Sequence, residues 1–223
     1  MSPILTQVEE PRARVIGYRK VPVAVSVVVP VSERCDDLVE IYRRHAEILN
    51  AKGCSFEFVF VFDGRFSDES KKLDPLVGLG EPIQVVVLPR QFGEATALTV
   101  GFELASGDIV ITLPAYFQTE PAAIREVLKC LEMGDDVVTT RRAPRIDPWI
   151  NRVQTHGFHL ITRWLTGVEL HDLGCGLKGL RRRVVREINL YGDLHRFLPV
   201  LAYQRGFRVA EVAVPQHPKN GGL

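Results

Sequence analysis

Two nearly continuous apolar runs, Val23–Pro30 (VAVSVVVP) and Phe56–Phe62 (FEFVFVF), constrain this chain more than any other feature. Runs of this length, β-branched or aromatic and lacking polar alternation, read as strands buried on both faces, which is typical of parallel sheets. Between them the spacing turns helical. Leu38, Ile41, Tyr42, Ile48 and Leu49 fall on one face over Asp36–Ala51, and Gly53 follows as a stop. The alternation continues with a short helix near Ser70–Val77 and a strand over Ile83–Leu88. A helix over Gly93–Ala105 and a strand over Ile109–Leu113 come next. A helix over Pro121–Met133 carries proline in its first turn, where a missing N–H costs nothing, and Val137–Thr140 is a fifth strand. Strand and helix in alternation predict a doubly wound α/β domain with a mostly parallel sheet and helices on both faces. Ligands in such sheets bind beyond the carboxyl ends of the strands. That directs attention to the loops Val31–Glu33, Asp63–Asp68, Pro89–Gly93 and Pro114–Gln118.

The pattern changes after Pro148. Trp149, Ile150, Val153, Phe158, Leu160, Ile161, Trp164 and Leu165 predict a long amphipathic helix, by default packed on a core. Its two tryptophans and nearby arginines also suit contact with a membrane interface. Val184–Asn189 and Phe197–Gln204 read as helices and Phe207–Val214 as a last strand. Residues 1–20 show no periodicity and read as an extended arm. Residues 21–223 read as one domain with halves 21–140 and 141–223.

The net charge of +1 conceals an asymmetry. Residues 1–140 carry 14 Lys+Arg against 21 Asp+Glu, and residues 141–223 carry 14 against 6. A basic half suits phosphate or anionic lipid, or is simply a solvated face. Its arginines interleave with apolar helix positions rather than lining an aromatic strand surface, which argues against RNA. Four cysteines without a CxxC pair, behind a polar and charged opening from Met1 to Lys20, predict a cytoplasmic protein with reduced thiols. The apolar runs are far shorter than the ~20 residues of a membrane helix. Gly174–Gly179 fits G-x-G-x-x-G but comes late, not after the first strand of a βαβ unit, so it does not predict dinucleotide binding. No Walker-type phosphate loop occurs.

A set of ordered segments adds to this. They are Val27–Glu33 (VVVPVSE), Phe58–Gly64 (FVFVFDG), and Leu88–Gly93 (LPRQFG) followed by Ala95, Ala97, Leu98 and Gly101. Ala105–Asp108 (ASGD), Gln118 with Pro121, and Asp136–Val138 with Arg141 or Arg142 continue the series. Asp172–Lys178 (DLGCGLK), His195–Pro199 (HRFLP) and Val214–Lys219 (VPQHPK) complete it. In this order they resemble the family 2, GT-A-fold glycosyltransferases of the polyprenyl-phosphate sugar transferase type. The resemblance covers about residues 24–219. In that family the strand after ASGD ends in Asp-x-Asp, whose carboxylates hold a divalent metal on the sugar-nucleotide diphosphate. Here the two positions are Pro114 and Tyr116, and neither side chain suits a hard cation. Phe62 and Glu94 depart from the pattern on the same edge, replacing an Asp and a Lys.

The resemblance implies a nucleotide-sugar donor and a polyprenyl-phosphate or other lipid acceptor, with peripheral contact at the inner face of a membrane. No metal cofactor is expected. Donor-side residues would be Pro30, Glu33, Asp63, Gly64, Arg90, Gly93, Ala115, Tyr116 and Gln118. Asp63 is expected to accept from a base N–H, and Arg90 to bind the diphosphate. Asp172 is the candidate catalytic residue, orienting or deprotonating the acceptor. An acceptor-side phosphate would meet Arg141, Arg142, Lys178, His195, Arg196, His217 and Lys219. Without the metal, arginine or lysine must offset charge on the leaving diphosphate. The alternative is a catalytically silent GT-A domain that binds a ligand or scaffolds a partner. A nucleotidyltransferase fits less well, because Val31–Arg34 is not the glycine-rich loop such enzymes place after the first strand.

Overall fold

The computed structural model describes residues 14–17, 22–144 and 170–218. The stripe from Trp149 to Leu165, Lys219 and most of the N-terminal arm lie outside the described residues. Eight strands, β1 (Arg14–Gly17), β2 (Val25–Val31), β3 (Phe56–Phe62), β4 (Ile83–Val87), β5 (Ile109–Thr112), β6 (Val137–Arg142), β7 (Lys178–Arg181) and β8 (Val209–Val214), form one sheet. Their order is β1-β4-β3-β2-β5-β7-β6-β8. Strands β4, β3, β2 and β5 are parallel, as the apolar runs predict. β7 is antiparallel to both its neighbours, and β1, from the arm, pairs antiparallel along the β4 edge.

Side chains alternate between the two faces of the sheet. Phe56, Phe58, Phe60 and Phe62 all enter one core layer with Val25, Val27, Val29 and Val31. Each buried phenylalanine contributes about 2 kcal/mol of apolar burial, and adjacent rings stack or meet edge to face at 5.9–6.5 Å. Helices α1 (Leu38–Ala51) and α4 (Ala123–Met133) cover this layer. Val28, Val59, Val61, Val86 and Val110 point the other way. They meet α3 (Glu94–Leu104), α5 (Arg182–Glu187) and α6 (Leu198–Gln204). α3 lies tight on β2: a Cβ at Gly101 would sit 2.3 Å from a Val28 methyl. In place of the short helix expected near Ser70–Val77, a 3₁₀ stretch over Gly64–Leu73 runs into α2 (Asp74–Gly78). No described helix is long and apolar enough to cross a membrane.

Two polar devices fix strand β5. Glu57, fully buried in β3, accepts from Ser26 Oγ (2.6 Å), Gln84 Nε2 (2.7 Å), and Ser106 N and Oγ (2.6 and 2.7 Å). A buried carboxylate survives because its oxygens are hydrogen-bonded. This one ties three strands to the turn before β5. From the other side Arg182 donates to the carbonyls of Ala105 and Gly107 at the end of α3. Arg181 and Arg208 do the same for Leu131, Gly134 and Asp135 at the end of α4. Cations complement the exposed carbonyls of a helix C-terminus. Three arginines of the basic second half, Arg181, Arg182 and Arg208, therefore cap two helices of the first.

His45 gives the fold a pH signature. It is buried in α1 with Nδ1 2.8 Å from the Ile41 carbonyl. Burial lowers its pKa from 6.5 to about 4, partly opposed by the bond to Ile41. A folded-state pKa below the unfolded one means that the unfolded chain binds the proton first. Stability is then full above pH 6.5 and falls as pH drops toward 4, by about 3 kcal/mol for this group. Urea midpoints followed across that window are expected to decline, and to decline less in His45→Gln. Equal slopes in the two proteins would contradict this.

Candidate functional site

The strand order places a crevice at one point. β3 and β4 extend from one side of β2 while β5 lies on the other, so the winding reverses between β2 and β5. In open α/β sheets ligands bind outside the carboxyl ends at such a switch point. An open cleft of about 160 Å³ lies there. Pro30, Ser32, Glu33 and Arg34 line it from β2, and Pro114, Ala115 and Tyr116 from β5. Leu173, Gly174, Gly176 and Lys178 enter along β7, Glu94 from α3, and His195 and Arg196 from the 3₁₀ turn Leu194–Phe197.

The wall after β5 is held from both sides. The Ala115 carbonyl accepts from Asp36 N at 2.8 Å, and the Asp36 carboxylate accepts from Phe117 N at 2.9 Å. Gln118 is buried and grips the opposite loop, donating to the Gly174 carbonyl (3.1 Å) and accepting from Gly176 N (2.6 Å). Thr112 Oγ1 donates to the Gly176 carbonyl at 2.7 Å. The Pro114 ring then packs on Gly176, where a Cβ would lie only 3.0–3.2 Å from ring carbons. The Arg34 guanidinium stacks 3.8 Å over the Tyr116 ring. Burial raises the Tyr116 pKa, with Arg34 acting against it, so the phenol stays protonated as a donor.

This arrangement does not suit a hard divalent cation. The two positions at the strand end present a pyrrolidine ring and a phenol covered by a guanidinium, not anionic oxygen. The carboxylates that line the cleft face basic side chains: Glu33 lies 3.9 Å from the Arg196 guanidinium, and Glu94 lies 3.5 Å from the His195 ring. Among the described residues no three His, Cys, Asp or Glu side chains gather as a metal site.

Seven residues singled out from the sequence meet in the cleft: Pro30, Glu33, Ala115, Tyr116, Lys178, His195 and Arg196. Others lie outside the cleft lining. Asp63 is fully buried, and its oxygens accept from three backbone N–H groups, of Gly64 (3.2 Å), Phe92 (2.7 Å) and Gly93 (3.0 Å). It caps the start of α3 rather than offering a carboxylate to a base. Gly64 is required there, because a Cβ would come within 2.6 Å of the Arg90 backbone. Gly93 takes φ +91° to begin α3. Arg90 is exposed and lies over the Phe92 ring at 4.9 Å, outside the cleft lining.

Asp172 lies outside the cleft lining. Its carboxylate is 2% exposed and binds the Arg142 guanidinium through both oxygens, at 2.7 and 3.1 Å, while also accepting from Arg142 N at 3.2 Å. It sits behind the cleft wall, and it and Arg142 occupy each other. Arg141 is turned to Glu211 at 3.7 Å. His217 is buried and stacked on Phe117 at 4.9 Å, outside the cleft lining. The sequence reading missed Arg34, although it directly follows Glu33 at the carboxyl end of β2, and did not place Glu94 in the cleft.

Comparison with known proteins agrees with this geometry. The family model for glycosyl transferase family 2 matches residues 26–189. The chain is similar to an undecaprenyl-phosphate 4-deoxy-4-formamido-L-arabinose transferase of Pseudomonas syringae pv. syringae. The two are 33% identical over 199 residues, covering 89% of this chain and 59% of the relative. A protein of the same name from Edwardsiella ictaluri is 32% identical, with coverages of 89% and 61%. The chain thus spans about three fifths of the length of these relatives. Among solved structures it resembles glucosyl-3-phosphoglycerate synthase from Mycobacterium tuberculosis in complex with uridine diphosphate. That likeness has a TM-score of 0.67 at 17% identity, over 87% of this chain and 72% of the other, and it supports the fold alone. A match across most of the described domain, over a sheet whose cleft lies at its switch point, means that this chain belongs to glycosyl transferase family 2.

Proposed function

We propose that the chain transfers a sugar from a nucleotide sugar to a polyprenyl phosphate, with protein cations standing where the family holds a divalent metal. The observation that carries this reading is the switch-point cleft, lined by Arg34, Lys178 and Arg196 and lacking carboxylates at the end of β5. The relatives named above are undecaprenyl-phosphate sugar transferases, and the structural neighbour binds uridine diphosphate.

The chemistry needs little from the protein beyond charge and placement. A phosphate oxygen of the acceptor attacks the anomeric carbon. The bond from that carbon to the nucleotide diphosphate breaks, and its electron pair leaves on the diphosphate oxygen. A phosphate acceptor is already anionic, so no general base is required, in keeping with an Asp172 carboxylate occupied by Arg142. Fixed cations at the leaving diphosphate stabilise the charge that develops there. Such an acceptor sets the working protein at the cytoplasmic face of a membrane, the contact read from the Trp149–Leu165 stripe.

A thermal-shift screen of uridine-diphosphate sugars, run with Mn²⁺ and with EDTA, tests the binding half of this reading. A shift of similar size in both buffers is expected for at least one sugar. A shift that needs Mn²⁺ would remove the metal-independent part, and no shift in either buffer would remove the reading.

A further inference from the structure

Among the described residues Lys178 is the most deeply buried cation lining the cleft. It is 6% exposed, in the wall between the two halves. Its ammonium has three N–H donors, yet among the described residues it makes a single hydrogen bond, to the Cys175 carbonyl at 2.5 Å. No carboxylate lies within ion-pair distance of it among the described residues. Buried ammonium groups are normally paired, because desolvation costs more than one hydrogen bond returns. That cost is visible in the amine, which burial pulls below its ordinary pKa. Cys175, Glu94 and Asp172 oppose the shift, and Arg196 adds to it.

Its place in the sheet is equally specific. β7 pairs with β5 so that Lys178 stands opposite Thr112, two residues before Pro114. The buried cation is therefore beside the strand end where the donor-site carboxylates are missing. Of the other cations considered from the sequence, Arg142 is engaged with Asp172, Arg141 faces Glu211, and Arg90 lies over Phe92 outside the cleft; Arg196 lines the cleft 3.9 Å from Glu33 and is more exposed than Lys178, and Lys219 lies outside the described residues.

We propose that Lys178 is the diphosphate-binding residue of this cleft, its ammonium neutralising the leaving nucleotide diphosphate. The inference rests on the sugar-transfer reading and adds the residue that makes it work. Among the described residues two of the ammonium's donors have no protein partner. A diphosphate oxygen would supply both the missing acceptors and the missing negative charge. Lysine is suited to this as a compact point charge on a flexible stem.

The test is calorimetric titration of uridine diphosphate in EDTA, with uridine followed by NMR titration as the phosphate-free control. Lys178→Met keeps length and apolar stem but removes the charge. The variant is expected to fold at least as well as the parent, since an uncompensated buried cation is gone. Its affinity for uridine diphosphate is expected to fall about 10- to 100-fold, the range for losing a charged hydrogen-bond partner, with uridine binding unchanged. Lys178→Gln is the second variant, with the same expected loss. Parent-like affinity for uridine diphosphate in both variants would overturn the assignment while leaving the sugar-transfer reading in place. Equal weakening for uridine would also overturn it, because the loss would then reflect a deformed cleft. A parent protein that binds uridine diphosphate neither in EDTA nor in Mn²⁺ would overturn the reading beneath it.

Discussion

Asp172→Ala is expected to destabilise the protein by about 3–5 kcal/mol, the range for breaking a buried ion pair by removing one partner. The carboxylate and the Arg142 guanidinium are 2% and 10% exposed and joined by two parallel hydrogen bonds. Removing the acid leaves a guanidinium in the wall without its partner. At this chain length such a loss lowers Tm by on the order of 10 °C. Arg142→Met with Asp172→Leu removes both charges together and is expected to recover most of the stability. A double-mutant cycle by urea denaturation measures the coupling. If Asp172 were instead a base acting on the acceptor, the single variant would keep its stability and lose turnover.

Asp63→Ala is the second large effect, at about 3 kcal/mol or more. Phe92 N and Gly93 N lose their carboxylate acceptor together while Gly64 N keeps only a 3.3 Å bond to the Arg90 carbonyl, and hydrogen bonds to a charged group are worth about 1.5–3 kcal/mol each. The damage should be local first. Amide exchange at Phe92 and Gly93 is expected to accelerate before the sheet opens, because Asp63 Oδ1 and Oδ2 hold those two groups at 2.7 and 3.0 Å. Asp63→Asn keeps one acceptor oxygen and should fall between the two. Unchanged stability with weakened nucleotide binding would instead make Asp63 a base-reading residue.

These two residues show where the sequence stops informing. Their types and positions, at loop starts beyond strand ends, are visible in the chain, and so is the fold of β2 to β5. Long β-branched and aromatic runs carry their own strand signal, and a sheet with helices on both faces follows from them. What Asp63 and Asp172 bind is not visible. Their partners lie 29–30 positions away, and a carboxylate that caps a distant loop looks like one that faces a ligand. β7 was illegible for a related reason. Lys178–Arg181 (KGLR) is short, basic and interrupted by glycine. It becomes a strand because β5 and β6 pair with it on both sides, and tertiary context outweighs intrinsic strand preference.

The basic second half read as suiting phosphate or anionic lipid, or as a solvated face; Arg181, Arg182 and Arg183 belong to it. Arg181 and Arg182 instead reach carbonyls 46 to 77 positions away, and Arg183 pairs with Asp136. The absence of the Asp-x-Asp pair was legible, but its structural consequence was not. Pro114 closes on Gly176 and Arg34 closes on Tyr116, so the position is rebuilt in rings and cations, and Lys178 enters beside it from a strand the sequence did not announce.

The proposed handling of a nucleotide sugar by protein cations in this family 2 domain is open to direct test. The most direct measurement is uridine diphosphate release from the sugar nucleotide that gives the largest thermal shift, with a short-chain polyprenyl phosphate as acceptor. It is run in EDTA and again in Mn²⁺. The account predicts release that depends on the acceptor, proceeds at comparable rates in both buffers, and is lost in Lys178→Met. Release that occurs only with Mn²⁺, or that survives intact in Lys178→Met, would contradict it.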